Sequence, residues 1–187
     1  MIKIVKFVGK SGLKKLDQIL DKRRSSQNNP IPIVSRILKE IKINGNKSLV
    51  KYEKKFSNNK KIKPTLGEMN SAIRSLKPQV KKAIDFAYNR ILKYHSLQKV
   101  QNILYKDKFN NIFKYKFIPL EKVGIYVPAN LPSTLLMNAI PAKIAGVKKI
   151  ILANPNLNSA VLYAARKIGI KEIYNMGGAQ AIARLAY

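Results

Sequence analysis

Residues 123–187 alternate apolar strand-like runs with helical stretches, and this order leaves few folds open. Val123-Gly124-Ile125-Tyr126-Val127 is a compact apolar run. Pro132-Ser133-Thr134 opens a helix carrying Leu135, Leu136, Ile140 and Ile144, with Ser133-Thr134 as its cap and Gly146 as its stop. Lys149-Ile150-Ile151-Leu152-Ala153 reads as a buried strand. Asn158 or Ser159 caps a helix with Val161, Leu162, Ala165 and Ile168, stopped by Gly169. Glu172-Ile173-Tyr174-Asn175 is a third strand, and Gly177-Gly178 turns into a last helix over Ala179–Tyr187. Strands joined by helices pair in parallel through right-handed crossovers, so the order predicts a Rossmann-like sheet.

Residues 1–122 have a different texture and carry a net charge of +22, against +6 for residues 123–187. Ile33, Val34, Ile37, Leu38 and Ile41 recur at helical spacing, ended by Asn44-Gly45. A second helix, about Lys47–Phe56, carries Leu49, Val50, Tyr52 and Phe56. Thr65-x-x-Glu68 is a capping box for a helix running to about Leu76. Pro78 opens a further helix to about Leu97, with Val80, Ile84, Ala87 and Ile91 on one face. Ile103-Leu104-Tyr105 and residues 112–118 then flank Asn110-Asn111 as a hairpin. In its second arm Phe113, Tyr115 and Phe117 alternate with Lys, the period of a half-buried strand. The fold class expected is α/β. An N-terminal helical region with a β-hairpin (1–122) precedes an incomplete Rossmann-like β-α-β-α-β-α sheet (123–187).

The sheet reads as incomplete for two reasons. Three parallel strands are few for a doubly wound sheet. The last helix has about two turns and ends on Ala181, Ile182, Ala183, Leu185, Ala186 and Tyr187, nearly all apolar. The expectation is an open sheet edge and a bare face, an aggregation hazard.

Composition narrows the chemistry. The chain has no Cys and one His, which excludes a disulfide framework, a thiol nucleophile and a self-sufficient zinc site of the usual ligands. The net charge of +28 raises nucleic-acid binding as a possibility. However, 30 of the 37 basic residues are Lys, alongside 17 Asn and 24 Ile, the pattern of an A+T-rich genome. Arg, the usual residue for bidentate phosphate and base contacts, is scarce. Any nucleic-acid binding is therefore expected to be non-specific. The stretch Met1–Phe7 is followed by Lys10, Lys14 and Lys15 without an apolar signal region, and no apolar run approaches ~20 residues. A cytoplasmic protein without membrane contact is expected.

Ligands of open α/β sheets bind at the carboxyl ends of the strands. Three such ends are visible: Tyr126-Val127-Pro128-Ala129-Asn130, Ala153-Asn154-Pro155, and Asn175-Met176-Gly177-Gly178-Ala179-Gln180. In the third, a Gly pair lets backbone N–H groups approach a ligand at the positive end of a helix. Gln180 sits in the first turn with its amide free, either for a ligand or for solvent. Tyr126 is either a stacking platform for a flat ligand or a core Tyr. His95 reads as a packed or capping residue. Ser133 has no base to activate it.

Several segments together resemble histidinol dehydrogenase. They are Pro119-Leu120-Glu121-Lys122-Val123-Gly124-Ile125-Tyr126-Val127-Pro128, then Leu131-Pro132-Ser133-Thr134, Ile140-Pro141-Ala142-Lys143-Ile144-Ala145-Gly146-Val147, and Asn175-Met176-Gly177-Gly178-Ala179-Gln180-Ala181-Ile182-Ala183. Upstream, Val34-Ser35 leading into Asn44-Gly45-Asn46-Lys47-Ser48-Leu49, Tyr52-x-x-x-Phe56, and Tyr94-His95 with Gln98 resemble the family's N-terminal segments. The resemblance implies NAD-dependent oxidation of L-histidinol to L-histidine, the last step of histidine synthesis. It also implies two NAD molecules and one zinc ion per site in a homodimer. It makes Tyr126 and Gln180 the counterparts of the family's NAD-contacting Tyr and Gln. Two departures stand out. Only Ala129-Asn130 occupies the place where the family usually has a Gly-Gly pair and several more residues. The family's Gly-Pro-Gly-Asn segment, its zinc ligands (Gln, His, Asp, His) and its Glu-His acid/base pair fall beyond Tyr187. The expectation is a catalytically incomplete chain, with no catalytic or metal residues of its own. A separate C-terminal polypeptide completing a split enzyme, or a degenerate relic, are the alternatives.

Overall fold

The computed structural model describes residues 13, 14, 16, 17, 31–59, 61–128 and 130–187. The expectations placed on the first residues of the chain and on Ala129 lie outside these. In chain order the elements are α1 (Ile31–Asn44), α2 (Asn46–Ser57), α3 (Leu66–Arg74), α4 (Pro78–Ser96), β1 (Ile103–Lys106), β2 (Ile112–Tyr115) and β3 (Lys122–Tyr126). They continue with α5 (Pro132–Ile144), β4 (Lys149–Ala153), α6 (Ser159–Ile168), β5 (Glu172–Tyr174) and α7 (Gly178–Ala186). No helix among the described residues is long and apolar enough to cross a membrane. The chain divides into two units, residues 1–36 and 37–187, and the second holds the sheet.

Strands β3, β4 and β5 lie side by side in that order, all parallel, with Tyr126, Ala153 and Tyr174 in register. Successive side chains of a strand point to opposite faces, and this alternation sorts the core into two clusters. Ile125, Leu152 and Ile173 pack with Leu135 and Leu136 of α5 and with Val161 and Leu162 of α6. Behind those helices, Ile73 of α3 and Ile84 of α4 belong to the same cluster. Tyr126, Ala153 and Tyr174 face the other way, toward Leu49 and Tyr52 of α2 and Ala181 and Ala183 of α7. Full burial of each large aliphatic side chain contributes roughly 1.5–3 kcal/mol. Because α5 and α6 cover one face, α7 and α2 are free to cover the second.

The bare face expected from the sequence is therefore not present. Helix α7 crosses back over the sheet to β3, where Leu185 fills the space beside Gly124. A Cβ on Gly124 would fall 2.8 Å from Leu185 Cβ. The apolar last helix is amphipathic in place, with Ala181 and Ala183 fully buried and only Ile182 and Tyr187 strongly exposed among its large apolar residues. On the far side of β5, the Asn175 N–H donates to the Ile62 carbonyl at 2.6 Å. The outer edge of β3 has no strand partner among the described residues.

The local signals act largely as read, with four corrections. The capping box forms: the Glu68 N–H donates to Thr65 Oγ1 at 3.3 Å, and the Thr65 N–H donates to Glu68 Oε2 at 2.8 Å. Its helix ends at Arg74, short of Leu76. Val50 and Phe56 of α2 are exposed, not core. Ser133 and Thr134 lie inside α5 rather than capping it. Leu131 takes the cap position with no side-chain bond, because Pro132 at the first helical position removes one orphan N–H. The hairpin forms with β1 antiparallel to β2, and Asn110 takes φ 67°. The Asp107 carboxylate accepts from the Phe109 and Asn111 backbone N–H groups at 2.8 and 2.9 Å, which closes the turn. Yet every residue of both arms is exposed, so the strand is not half-buried. Alternation puts Tyr105 and Phe113 on one face, with ring centroids 6.0 Å apart, and both residues stay more than half exposed.

Two contacts make stability pH-dependent. Lys61 and the capping bonds hold Glu68 at a pKa of about 2, below the usual 4.5. Its contribution is complete above about pH 4.5 and is lost as pH falls toward 2. Thermal unfolding of Glu68→Gln should therefore differ from wild type at neutral pH, and the difference should shrink steadily through that window. Asp85 ties α4 to α6: it accepts from Tyr163 Oη at 3.0 Å and pairs with Lys167 at 2.9 Å. The Lys167 ammonium foremost holds the Asp85 pKa below its usual 3.8, so this contribution also fades on acidification. Asp85→Asn should cost about 1 kcal/mol at pH 7, a partly exposed pair, by denaturant unfolding.

Candidate functional site

The parallel sheet delivers the three strand ends to one edge, and side-chain amides bind them together. Asn154 follows β4 and is fully buried. Its Nδ2 donates to the Val127 and Pro128 carbonyls at 3.0 and 3.3 Å, and its Oδ1 accepts from the Asn158 N–H at 3.2 Å. The first segment after β3 is thereby fastened to the turn that starts α6. Asn175 follows β5; its Oδ1 accepts from the Asn156 N–H at 2.9 Å, and its carbonyl accepts from Asn59 Nδ2 at 2.6 Å. Where strands stop, their last backbone groups lose ladder partners, and these amides supply replacements.

At the third strand end the decisive residue is Glu53, which is 1% exposed. It lies on α2 four positions after Leu49, on the face that packs toward α7. Its Oε1 accepts from the Gly177 N–H at 2.9 Å and from Gln180 Nε2 at 3.0 Å. Bonds to an ionised acceptor are the stronger kind, and leaving either donor unmade in the interior costs about 1–3 kcal/mol. Sequence reasoning passed over Glu53. Its only signal was a lone carboxylate on the helix face that carries Leu49 and Tyr52.

Gln180 is placed at this edge as expected, but its amide is not free: the residue is buried and Nε2 is committed to Glu53. The Gly177 N–H, expected to face a ligand, is committed to the same oxygen. A side chain is disfavoured at both glycines. A Cβ on Gly177 would fall 3.0 Å from Pro155 Cβ, and one on Gly178, at φ +64°, would fall 2.9 Å from Gln180 Oε1. Tyr126 is half-buried at the end of β3 and belongs to the α2–α7 cluster. Its hydroxyl lies 3.9 Å from the position of a Gly177 Cβ, so Tyr126 and Gln180 flank the same glycine turn.

His95 is elsewhere. Its Nδ1 is 2.6 Å from Gln98 Oε1 at the end of α4, and the pair lines a groove of about 910 Å³ with Pro119, Val123 and Val147. Val123 and Val147 lie at the amino-terminal end of the sheet, opposite to Tyr126. Among the described residues no three His, Cys, Asp or Glu side chains come together, so the residues present do not fit a zinc ion.

Comparison with known proteins agrees with the motifs. The profile of the histidinol dehydrogenase family matches residues 20–187. The chain is 50% identical to a histidinol dehydrogenase from Pelagibacter ubique (strain HTCC1062), over 100% of this chain and 45% of that protein. It is 39% identical to one from Wolinella succinogenes, over 93% of this chain and 43% of that protein. The crystal structure of histidinol dehydrogenase from Elizabethkingia anophelis superposes with a TM-score of 0.77 at 36% identity, covering 83% of this chain and 38% of that one. The chain thus spans less than half the length of the relatives it matches. With its motifs in order, its fold superposable over most of its length and its profile match nearly end to end, the chain belongs to the histidinol dehydrogenase family.

Proposed function

We propose that this chain supplies the cofactor edge for NAD-dependent oxidation of L-histidinol, through histidinal, to L-histidine in the cytoplasm. One observation carries the reading: Tyr126 and Gln180, distant in sequence, flank one glycine turn at the carboxyl edge of a parallel sheet. That is where such sheets take ligands. NAD, when bound, accepts the hydride. The Tyr126 ring offers a flat apolar face for stacking, and Gln180 offers its amide for a hydrogen bond. The proton released with the hydride needs a base. The one His of the chain, His95, is paired with Gln98 at the other end of the sheet. The base and the family's zinc ligands are therefore assigned to residues outside this stretch, downstream or on a separate C-terminal polypeptide. The family's homodimer is the expected assembly, and the exposed apolar hairpin favours such an interface.

Thermal denaturation with and without NAD tests the cofactor reading. At a ligand concentration of about 100 Kd, binding should add about 2.7 kcal/mol of stability. Tyr126→Ala and Gln180→Ala should each reduce the shift, and an unshifted wild-type transition counts against the reading. Histidinol with NAD and zinc should give no NADH from this chain alone. Steady turnover would show that the base lies within it.

A further inference from the structure

The geometry points to Glu53 as a positioning residue that fixes which face of the Gln180 amide a ligand meets. The inference rests on the cofactor reading for Gln180, but its structural part stands alone. A buried carboxylate only accepts hydrogen bonds. The amide nitrogen of Gln180 must therefore face Glu53, and Oε1 must point away from it. Oε1 sits over Gly178, whose missing Cβ leaves the space. Among the described residues no buried side-chain nitrogen or oxygen lacks a partner, and Oε1 has none, so it keeps contact with solvent. Gln180 is thereby presented as an acceptor. The group it selects is a donor: a hydroxyl, an exocyclic amine or a carboxamide NH₂, and not a phosphate oxygen.

The same carboxylate takes the Gly177 N–H at the head of α7. A negative charge at that place offsets the positive end of the helix. The glycine turn is thus a poor phosphate seat. Glu53 ties together the turn that shapes the edge and the amide that reads the ligand, and it does so from α2, a helix outside the parallel sheet.

Hydrogen exchange of the Gln180 side-chain amide in the isotope-labelled full chain tests this. The resonance is identified by its loss in Gln180→Ala. Slow exchange is expected in wild type, with acceleration of about tenfold or more in Glu53→Gln, the value of one strong buried hydrogen bond. Unchanged exchange in a folded Glu53→Gln chain overturns the proposal. If that variant does not fold, Glu53→Asp decides, since its shorter side chain draws the carboxylate away from Nε2; unchanged exchange there overturns it equally. For the ligand, Glu53→Gln should weaken NAD binding about tenfold in calorimetry. The effect should vanish in a Gln180→Ala background, and an equal loss in both backgrounds overturns the positioning role. If wild type binds no NAD while the exchange behaves as expected, the cofactor reading falls and the positioning of the amide stands.

Discussion

A parallel sheet with apolar residues on both faces must be covered twice, and most of this structure follows from that requirement. Ile125, Leu152 and Ile173 need one cover, which α5 and α6 provide. Tyr126, Ala153 and Tyr174 need another. The crossovers that build the sheet put α5 and α6 on the same side, so the second cover comes from outside the β-α-β succession. It is α2 of the helical N-terminal region together with α7, which turns back over β3.

The cost of that arrangement is polar. Helix α7 begins at a glycine turn in which Gly177 is buried, and the backbone N–H of Gly177 would be stranded there. A carboxylate from α2 meets it, and in doing so makes α2 part of the strand-end edge. Asn154 and Asn175 perform related work for the other two strand ends. The candidate site is in this sense a by-product of finishing a small parallel sheet. Each strand end needed hydrogen-bond partners, and the residues that supply them also shape the edge that carries Tyr126 and Gln180.

Much of the fold was legible in the sequence. Strand β4 runs from Lys149 to Ala153 as read, and Gly169 ends α6 in a left-handed conformation at φ 90°. Thr65 and Glu68 form their box. These signals are local, set by side-chain period and by backbone conformations that only some residues tolerate. The hairpin shows where such reasoning stops. Period two states which residues share a face, but not whether anything packs on it, and Phe113 and Tyr115 are exposed. The apolar end of α7 erred in the opposite direction: a run that looked uncovered turns Ala181, Ala183 and Leu185 toward α2 and the sheet and leaves Ile182 and Tyr187 exposed.

The site divides along the same line. Sequence alone determined the order of strands and helices, that Tyr126 and Gln180 lie beside strand ends, and which family the motifs resemble. Each of these rests on residues adjacent in the chain. Only the tertiary structure decided what those residues can do. Gly177 and Gln180 lie 124 and 127 positions from Glu53, and no period or motif links them. Their meeting depends on two helices packing against one sheet face. A carboxylate in water competes with solvent, whereas one buried beside two donors fixes the orientation of both.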